Sequence, residues 1–319
     1  MVARFLRAPA PLPRAVSMLH RALLLSVLVL CAACAPSADD PADAGSAHWE
    51  QISTAKVFDS NGELSEFTLQ GTDAILLAGR GLLRVDTKTG LSKAAIVSVD
   101  GRPGLPTGGV TRVASLDGRV YFTTVYPFGL WTVDAAGDAK LVSTQPAGFD
   151  FRNAELAPTQ DARMLILGKA ESISEPNRLF AVDPKDSSTT PVDTSSWPGQ
   201  ERGVVFERLI VDEASNIYFT TSFNTASASH DIYVGKFGGP FTKFTVTTGP
   251  FLGLAPGSGV LSWNLEHDKE TLVRIGPDGS VTRIEALDGI TLTPHRAQVQ
   301  DGFVWVGANG LWKSKTRLF

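Results

Sequence analysis

Eight polar or charged residues recur at places where the inner strands of a repeated pattern are predicted to begin. They are Glu66, Arg112, Asn153, Glu155, Glu207, Arg208, His295 and Arg296. If these strand starts converge on one central channel, carboxylates, an amide, an imidazole and guanidinium groups meet in a confined space. Such a set can bind a metal ion, an anion or a sugar, so these are the candidate ligand-binding residues. The same set can equally form a buried ring of ion pairs that only organises the channel.

A repeat along the chain defines the elements that would position these residues. Six apolar runs begin at Ile75, Val120, Met164, Ile217, Val260 and Phe303, at steps of 43 to 53 residues. Each run is followed by a second apolar run and then by a turn, and no helical periodicity appears after the N-terminal region. A repeat of this length made of short strands is typical of one four-stranded propeller blade. The sequence therefore predicts an all-β, six-bladed β-propeller over residues 49–319.

The second repeat is the clearest, and the two ends of the repeat region predict how the ring closes. Its strands are predicted at Val110–Ser115, Val120–Thr124, Leu130–Val133 and Lys140–Ser143, with a tight turn at Asp117-Gly118. The last repeat ends at Phe319 after its third strand, whereas Gln51–Phe58 reads as a strand without a partner. We expect this N-terminal strand to complete the last blade and cover two open sheet edges.

The N-terminal region has the features of an export signal. Met18 begins a short basic start, followed by the apolar run Ala22–Leu30 and by small residues ending in Cys34. Residues 1–33 are therefore predicted to be a signal peptide, with Met18 as a possible true start, because the apolar run is too short to span a membrane. The Ala-Ala-Cys ending resembles a bacterial lipobox, which implies lipidation of Cys34. Residues 34–48 are predicted to be a flexible tether.

Charge and cysteine content exclude some classes of function. Residues 1–33 carry four of the 29 basic residues and none of the 33 acidic ones, so the remaining chain has a net charge of about −8. This charge argues against a nucleic-acid partner. Both cysteines lie at positions 31 and 34, so no disulfide is expected within the propeller. No common catalytic or metal-binding motif is present, and His is scarce.

The loops predicted to enter the inner strands are long and rich in Pro, Gly and aromatic residues. They are Asp100–Gly109, Gln145–Asn153, Ser187–Gly203, Thr247–Leu252 and Leu287–His295, and the same face receives two enlarged loops at Lys169–Asn177 and Ser222–His230. Long loops on a rigid scaffold commonly bind ligands or partners, although loops also lengthen without function. We call this predicted surface the long-loop face.

Two strand motifs resemble a known superfamily. The runs Val120–Thr124 and Ile217–Thr221 are similar to runs in the six-bladed propellers that include gluconolactonase/SMP-30 proteins, virginiamycin B lyase and NHL repeats. In gluconolactonase-like enzymes a Glu, an Asn and an Asp hold a divalent metal, and the resemblance places Glu66, Asn153 and Glu207 at those positions. It implies Ca²⁺ or another divalent cation as cofactor, although Arg208 beside a ligand position would repel a cation. A lyase of the virginiamycin B type would require His295.

These patterns lead to a functional expectation. We expect an exported, lipid-anchored β-propeller of the bacterial cell envelope, in the outer membrane, that binds a small molecule or an envelope protein through the long-loop face. In this interpretation the protein needs no cofactor and is more a binding protein than an enzyme. The alternatives are a metal-dependent lactonase of the gluconolactonase type, a purely structural envelope protein, and a periplasmic or secreted protein released by ordinary signal cleavage.

Overall fold

The described part of the chain forms a six-bladed β-propeller. The computed structural model describes residues 46–55, 57–59, 66–79, 81–106, 108–124, 129–144, 149–170, 178–198, 204–223, 230–247, 251–257, 259–266, 269–290 and 296–319. These residues contain strands and turns without helix, so none of their segments is a helix able to cross a membrane. The predicted all-β, six-bladed fold is confirmed. The predicted signal peptide, lipidation site Cys34 and most of the tether lie outside the described residues.

The described strands group into six sheets. In chain order they are β1 (Trp49–Ser53), β2 (Phe58–Asp59), β3 (Phe67–Gln70), β4 (Asp73–Gly79), β5 (Gly81–Asp86), β6 (Ser92–Ala94), β7 (Ser98–Val99), β8 (Arg102–Pro103), β9 (Val110–Leu116), β10 (Arg119–Thr124), β11 (Gly129–Val133), β12 (Asp138–Thr144), β13 (Phe149–Pro158), β14 (Met164–Ala170), β15 (Arg178–Asp183), β16 (Ser188–Val192), β17 (Val204–Val211), β18 (Ile217–Phe223), β19 (His230–Gly235), β20 (Thr242–Thr247), β21 (Gly253–Ala255), β22 (Gly259–Glu266), β23 (Lys269–Ile275), β24 (Val281–Ala286), β25 (Arg296–Gln300), β26 (Phe303–Gly307) and β27 (Leu311–Ser314). Blade one holds β2 to β6, blade two β7 to β12, blade three β13 to β16, blade four β17 to β20, blade five β21 to β24, and blade six β25 to β27 with β1.

Blade two shows why the repeat folds into hairpins. Strands β9 and β10 pair antiparallel with Arg119 opposite Leu116. Between them Asp117 and Gly118 have φ values of 49° and 70°, the left-handed conformation that a tight hairpin turn requires at both central residues. Along β10, Val120 and Phe122 pack against blade one, whereas Tyr121 packs against blade three. Alternate side chains of one strand therefore hold two neighbouring blades.

The apolar core is divided among the junctions between blades. The described buried residues form six clusters, and each joins two adjacent blades, including blade six with blade one. Trp197 illustrates how loops add to this core, since it follows the last strand of blade three and stacks on Phe219 of blade four at 4.9 Å between ring centroids. Each blade is thus stabilised chiefly by its two neighbours.

The N-terminal segment differs from its predicted bounds. Strand β1 pairs antiparallel with β27 as the fourth strand of blade six. The strand ends at Ser53, however, and Phe58–Asp59 belongs to blade one, where it pairs parallel with β4. Between them Val57 is fully buried, and its amide donates to the Ala308 carbonyl at 3.2 Å. The predicted strand Gln51–Phe58 is thus two strands in two blades, because the chain crosses the junction there. Whether β1 holds the ring closed stays a prediction.

Three of the predicted entry loops contain strand segments of two or more residues, and one of them, Gln145–Asn153, ends with the first five residues of β13. Asp100–Gly109 includes β8, which pairs with β7, and β7 adds in parallel to the outer edge of β12. Blade two therefore has six strands rather than four. Ser187–Gly203 includes β16, the fourth strand of blade three. Of the other predicted loops, residues 145–148, 171–177, 224–229, 248–250 and 291–295 lie outside the described residues.

Candidate functional site

Five of the eight candidate residues come together at the centre of the propeller. Glu66 immediately precedes β3, Arg112 lies on β9, Glu155 on β13, Arg208 on β17, and Arg296 is the first residue of β25. They come from blades one, two, three, four and six, and all lie within ion-pairing distance of at least one other member. We call these five residues the channel cluster.

Two short ion pairs connect the blades. Arg208 Nη1 lies 2.6 Å from Glu66 Oε1. Arg112 donates to Glu155 Oε1 from Nη2 at 2.7 Å and from Nε at 3.2 Å. Both carboxylates are 2% exposed, so water does not screen these interactions as it does at a surface. Charge-assisted hydrogen bonds of this length are the stronger kind.

Longer contacts join the two pairs into one network. Arg112 Nε lies 3.9 Å from Glu66 Oε1, and Arg208 Nη1 lies 3.8 Å from Glu155 Oε2. Arg112 also donates from Nη1 to the Thr111 carbonyl at 2.9 Å. Each carboxylate therefore interacts electrostatically with two or more guanidinium groups. The loss of any member of the cluster changes the electrostatic potential at the others.

The electrostatic state of Glu66 follows from its neighbours. Burial acts to raise the pKa of the Glu66 carboxyl group. The charges of Arg296, Arg208 and Arg112, together with the hydrogen bond from Arg208, outweigh that effect and lower the pKa below its ordinary value. Glu66 is accordingly an ionised carboxylate whose role is to balance three arginines.

Arg296 is held differently from the other arginines. Its Nε lies 3.8 Å from Glu66 Oε2, beyond hydrogen-bond distance, although its side chain is only 11% exposed. The Nε atom is buried without a hydrogen-bond partner among the described residues. Arg296 therefore contributes charge to the channel cluster, while its Nε makes no hydrogen bond there.

The remaining candidate residues are described only in part. Asn153 lies on β13 and Glu207 on β17, where the register with β18 shifts between Phe206 and Arg208, but their side chains are outside the described ones. His295 lies entirely outside the described residues. The assignment of these three residues to a ligand site stays a prediction.

Blade five contributes no charged side chain to the described cluster, and its inner strand explains why. A Cβ atom at Gly253 would lie 2.1 Å from the Ala297 carbonyl oxygen, so only glycine permits this approach. The Ala297 amide donates to the Leu252 carbonyl at 2.9 Å. Backbone groups of blades five and six thus bond directly where other blades present side chains.

Gln298 is a polar residue beside the channel cluster that the sequence analysis missed. Its side-chain nitrogen donates to the Phe67 carbonyl at 3.1 Å, and its side-chain oxygen accepts from the Leu69 amide at 3.1 Å. Gln298 therefore pairs with the backbone of β3 as a neighbouring strand would. The alternation of β25, which places residue 298 on the same side as Arg296, was the signal that could have identified it.

Glu66, the one implied metal ligand whose side chain is described, does not fit a divalent cation. Glu66 would be one ligand of a divalent cation, but its Oε1 atom is occupied by Arg208 and two further guanidinium groups lie within 4 Å. A cation bound to Glu66 would lie close to three positively charged guanidinium groups. Their repulsion of the cation exceeds the attraction of one carboxylate. Among the described residues no group of three or more His, Cys, Asp or Glu could hold a metal ion.

Comparisons with known proteins reveal the fold. No family model and no curated protein matches the chain. Similar solved structures include a gluconolactonase from Xanthomonas campestris, with a TM-score of 0.60 and 11% identity over 83% of this chain and 88% of that one. A streptogramin B lyase has a TM-score of 0.52 and 12% identity over 78% and 92%. A chain of a nidogen/laminin complex has 0.50 and 13% over 74% and 85%.

These similarities agree with the predicted superfamily at the level of architecture. At 11% to 13% identity they show a six-bladed propeller with gluconolactonase-like neighbours, and nothing about activity.

Proposed function

We propose that this protein is an exported, lipid-anchored propeller of the bacterial envelope that binds a small molecule or an envelope protein at its long-loop face, without a catalytic metal. The observation that carries the proposal is the channel cluster, in which both described acids are paired with arginines. The inner strands are where a gluconolactonase-like enzyme would place its metal ligands, and here Glu66, the one such residue whose side chain is described, lies within 4 Å of three guanidinium groups, which argues against a cation there.

Export and anchoring rest on the sequence alone. The apolar run, the Ala-Ala-Cys ending and the acidic, small-residue tether support them. The scaffold suits binding because six inter-blade clusters hold the strands that carry the loops in fixed relative positions.

Metal content and the response to divalent ions test this proposal. The protein should be purified without chelators or refolding, and its metal content measured by mass spectrometry. We expect no stoichiometric divalent ion, and no rise in melting temperature with Ca²⁺, Mg²⁺, Mn²⁺ or Zn²⁺ in the parent. A bound ion at one per chain would instead support the lactonase alternative, as would a melting temperature that climbs with Ca²⁺ in the parent but stays flat in Glu207→Gln or Glu66→Gln.

A further inference from the structure

A cavity on the face opposite the long-loop face plays no part in the function proposed above. It lies where inner strands end, since Val211 is the last residue of β17, Ala255 the last of β21 and Val299 the second-last of β25. Its volume is about 500 Å³, within the range of about 300 to 1,000 Å³ that is usual for small-molecule sites. We call it the hairpin-face cavity, because turns between the first and second strands of blades three, four and five line it.

The walls of the hairpin-face cavity are largely apolar. Leu254 and Pro256 line it from blade five, Val211 and Tyr218 from blade four, and Val299 from blade six. A hydrocarbon group placed against these side chains removes apolar surface from water, which favours binding. A ligand of this cavity should therefore have an apolar body.

The charged residues that line the cavity are both acidic, namely Asp212 and Glu213 in the turn after β17. Asp212 builds that turn, since Oδ1 accepts from the amides of Ala214 and Asn216 at 2.9 and 2.7 Å and Oδ2 accepts from the Asn216 side chain at 2.8 Å. Glu213 is exposed, and it makes no hydrogen bond or ion pair within the described part of the chain. In the lining segment 254–259 the one residue outside the described ones is Ser258, which carries no charge.

Neighbouring groups leave this lining acidic. Burial, together with the charge of Asp212 and a hydrogen bond to it, raises the pKa of the Tyr218 hydroxyl, so this group is neutral at physiological pH. Arg274 contacts the same turn of blade five, where its Nη2 donates to the Gly257 carbonyl at 2.7 Å, but it is not a lining residue. A ligand in the cavity therefore meets carboxylates and no lining cation.

We propose that the hairpin-face cavity binds a small organic cation, with its ammonium group at Glu213 and its apolar body against Leu254 and Val299. An ammonium group donates charge-assisted hydrogen bonds to a carboxylate. An exposed ion pair alone contributes little, so the apolar body supplies the rest of the affinity. A metal ion fits less well, because no group of three or more His, Cys, Asp or Glu in the described ranges could hold one.

The test compares three solutes with the full chain at constant ionic strength. n-Butylammonium chloride is the probe, ammonium chloride carries the charge without the apolar body, and butan-1-ol carries the apolar body without the charge. At about ten times its dissociation constant, butylammonium should raise the melting temperature by about 3–6 °C. The other two solutes at the same concentration should not raise it.

Two exposed glutamates provide matched variants. Glu213→Gln removes the proposed ammonium contact, and Glu50→Gln removes the same charge from an exposed position on β1. In calorimetric titration with butylammonium, the dissociation constant of Glu213→Gln should be about three- to tenfold higher than that of the parent, because a charge-assisted hydrogen bond is lost at the rim. Glu50→Gln should match the parent.

Amide hydrogen exchange shows where the cation binds. On addition of butylammonium, exchange should slow in residues 212–218 and in β21, and it should not change at the Asp117-Gly118 turn of blade two. No binding by the parent, equal stabilisation by ammonium or by butan-1-ol, or an unchanged dissociation constant in Glu213→Gln would each overturn the proposal. Slower exchange confined to β9 and the start of β25 would also overturn it, because the cation would then lie at the channel cluster.

These outcomes are independent of the function proposed above, which concerns the long-loop face. Uptake of a divalent ion by the parent would contradict that function and would leave the hairpin-face cavity unaffected. Failure of butylammonium to bind would remove the organic-cation site and would leave the metal-free binding role at the long-loop face unchanged.

Discussion

Replacing Glu66 with Gln removes the carboxylate that balances three arginines in the channel cluster. The side chain is 2% exposed, and its nearest partner, Arg208 Nη1, lies at 2.6 Å. With an effective dielectric constant of about 20, a unit pair at that distance attracts by roughly 6 kcal/mol, and a pair at 3.8 Å by roughly 4 kcal/mol. The cost of burying the charge offsets most of this attraction. Removing one partner of a buried pair therefore costs about 3–5 kcal/mol, because the other is left unpaired.

The pH dependence gives the same prediction a second readout. Glu66 has a pKa below its ordinary value of 4.5 in the folded protein, so its stabilising contribution is fully present above about pH 4.5 and is lost as the pH falls through the folded pKa. In the parent, the free energy of unfolding should therefore fall as the pH drops below 4.5. That component should be missing in Glu66→Gln, because glutamine does not titrate.

Equilibrium denaturation in urea, repeated at neutral pH and below pH 4.5, measures both effects. Glu213→Gln is the matched control, since Glu213 is an exposed residue in the turn between β17 and β18, and we expect its change to stay within about 0.5 kcal/mol. The melting temperature of Glu66→Gln should fall by about 10 °C. If Glu66→Gln were as stable as Glu213→Gln, or kept the parent's loss of stability in acid, the interpretation of the channel cluster as a balanced network would be refuted.

Three further predictions concern Gln298, the N-terminal strand β1 and the lipidation site. Gln298→Leu should destabilise the protein by about 1–3 kcal/mol, because it leaves two backbone groups of β3 without hydrogen-bond partners. The control is Gln300→Leu, which loses one exposed hydrogen bond at 3.5 Å. Equal denaturation midpoints for the two variants would contradict this prediction. Deletion of residues 1–44 should leave the melting temperature unchanged, whereas deletion of 1–53 should lower it strongly because β1 covers the edge of β27; matching melts would refute closure by β1. Cys34→Ser should release the protein from membranes into the soluble fraction, and mass spectrometry finding an unmodified N-terminus at residue 35 or later in the parent would disprove the anchor.

Much of the fold can be predicted from the sequence because each repeat is specified by local patterns of apolar, polar and turn residues. The six apolar runs that predict the second strands of the blades coincide with β4, β10, β14, β18, β22 and β26. Alternation within those runs and the Asp117-Gly118 turn suffice to place the hairpins of blade two. Local patterns are reliable here because each blade is built from adjacent segments of chain.

The parts that sequence analysis did not give depend on contacts between distant segments. The parallel addition of β7 to β12 and the crossing of the chain near Val57 leave no periodic signal. The charged strand starts predicted that acids and arginines would meet. The arginine that donates a hydrogen bond to Glu66 lies at 2.6 Å, whereas Arg296 Nε lies at 3.8 Å. No spacing in the sequence encodes a difference of this size.

The backbone contact between Gly253 and Ala297 has a consequence for how the ring opens. At the centre, blades one to four contact one another through side chains. These side chains can change partners when the blades separate transiently. Blades five and six are joined there by a direct amide-to-carbonyl bond, and Trp49 of β1 adds a second connection by donating from Nε1 to the Ala286 carbonyl at 2.6 Å. These two blades should therefore open together rather than separately in local unfolding.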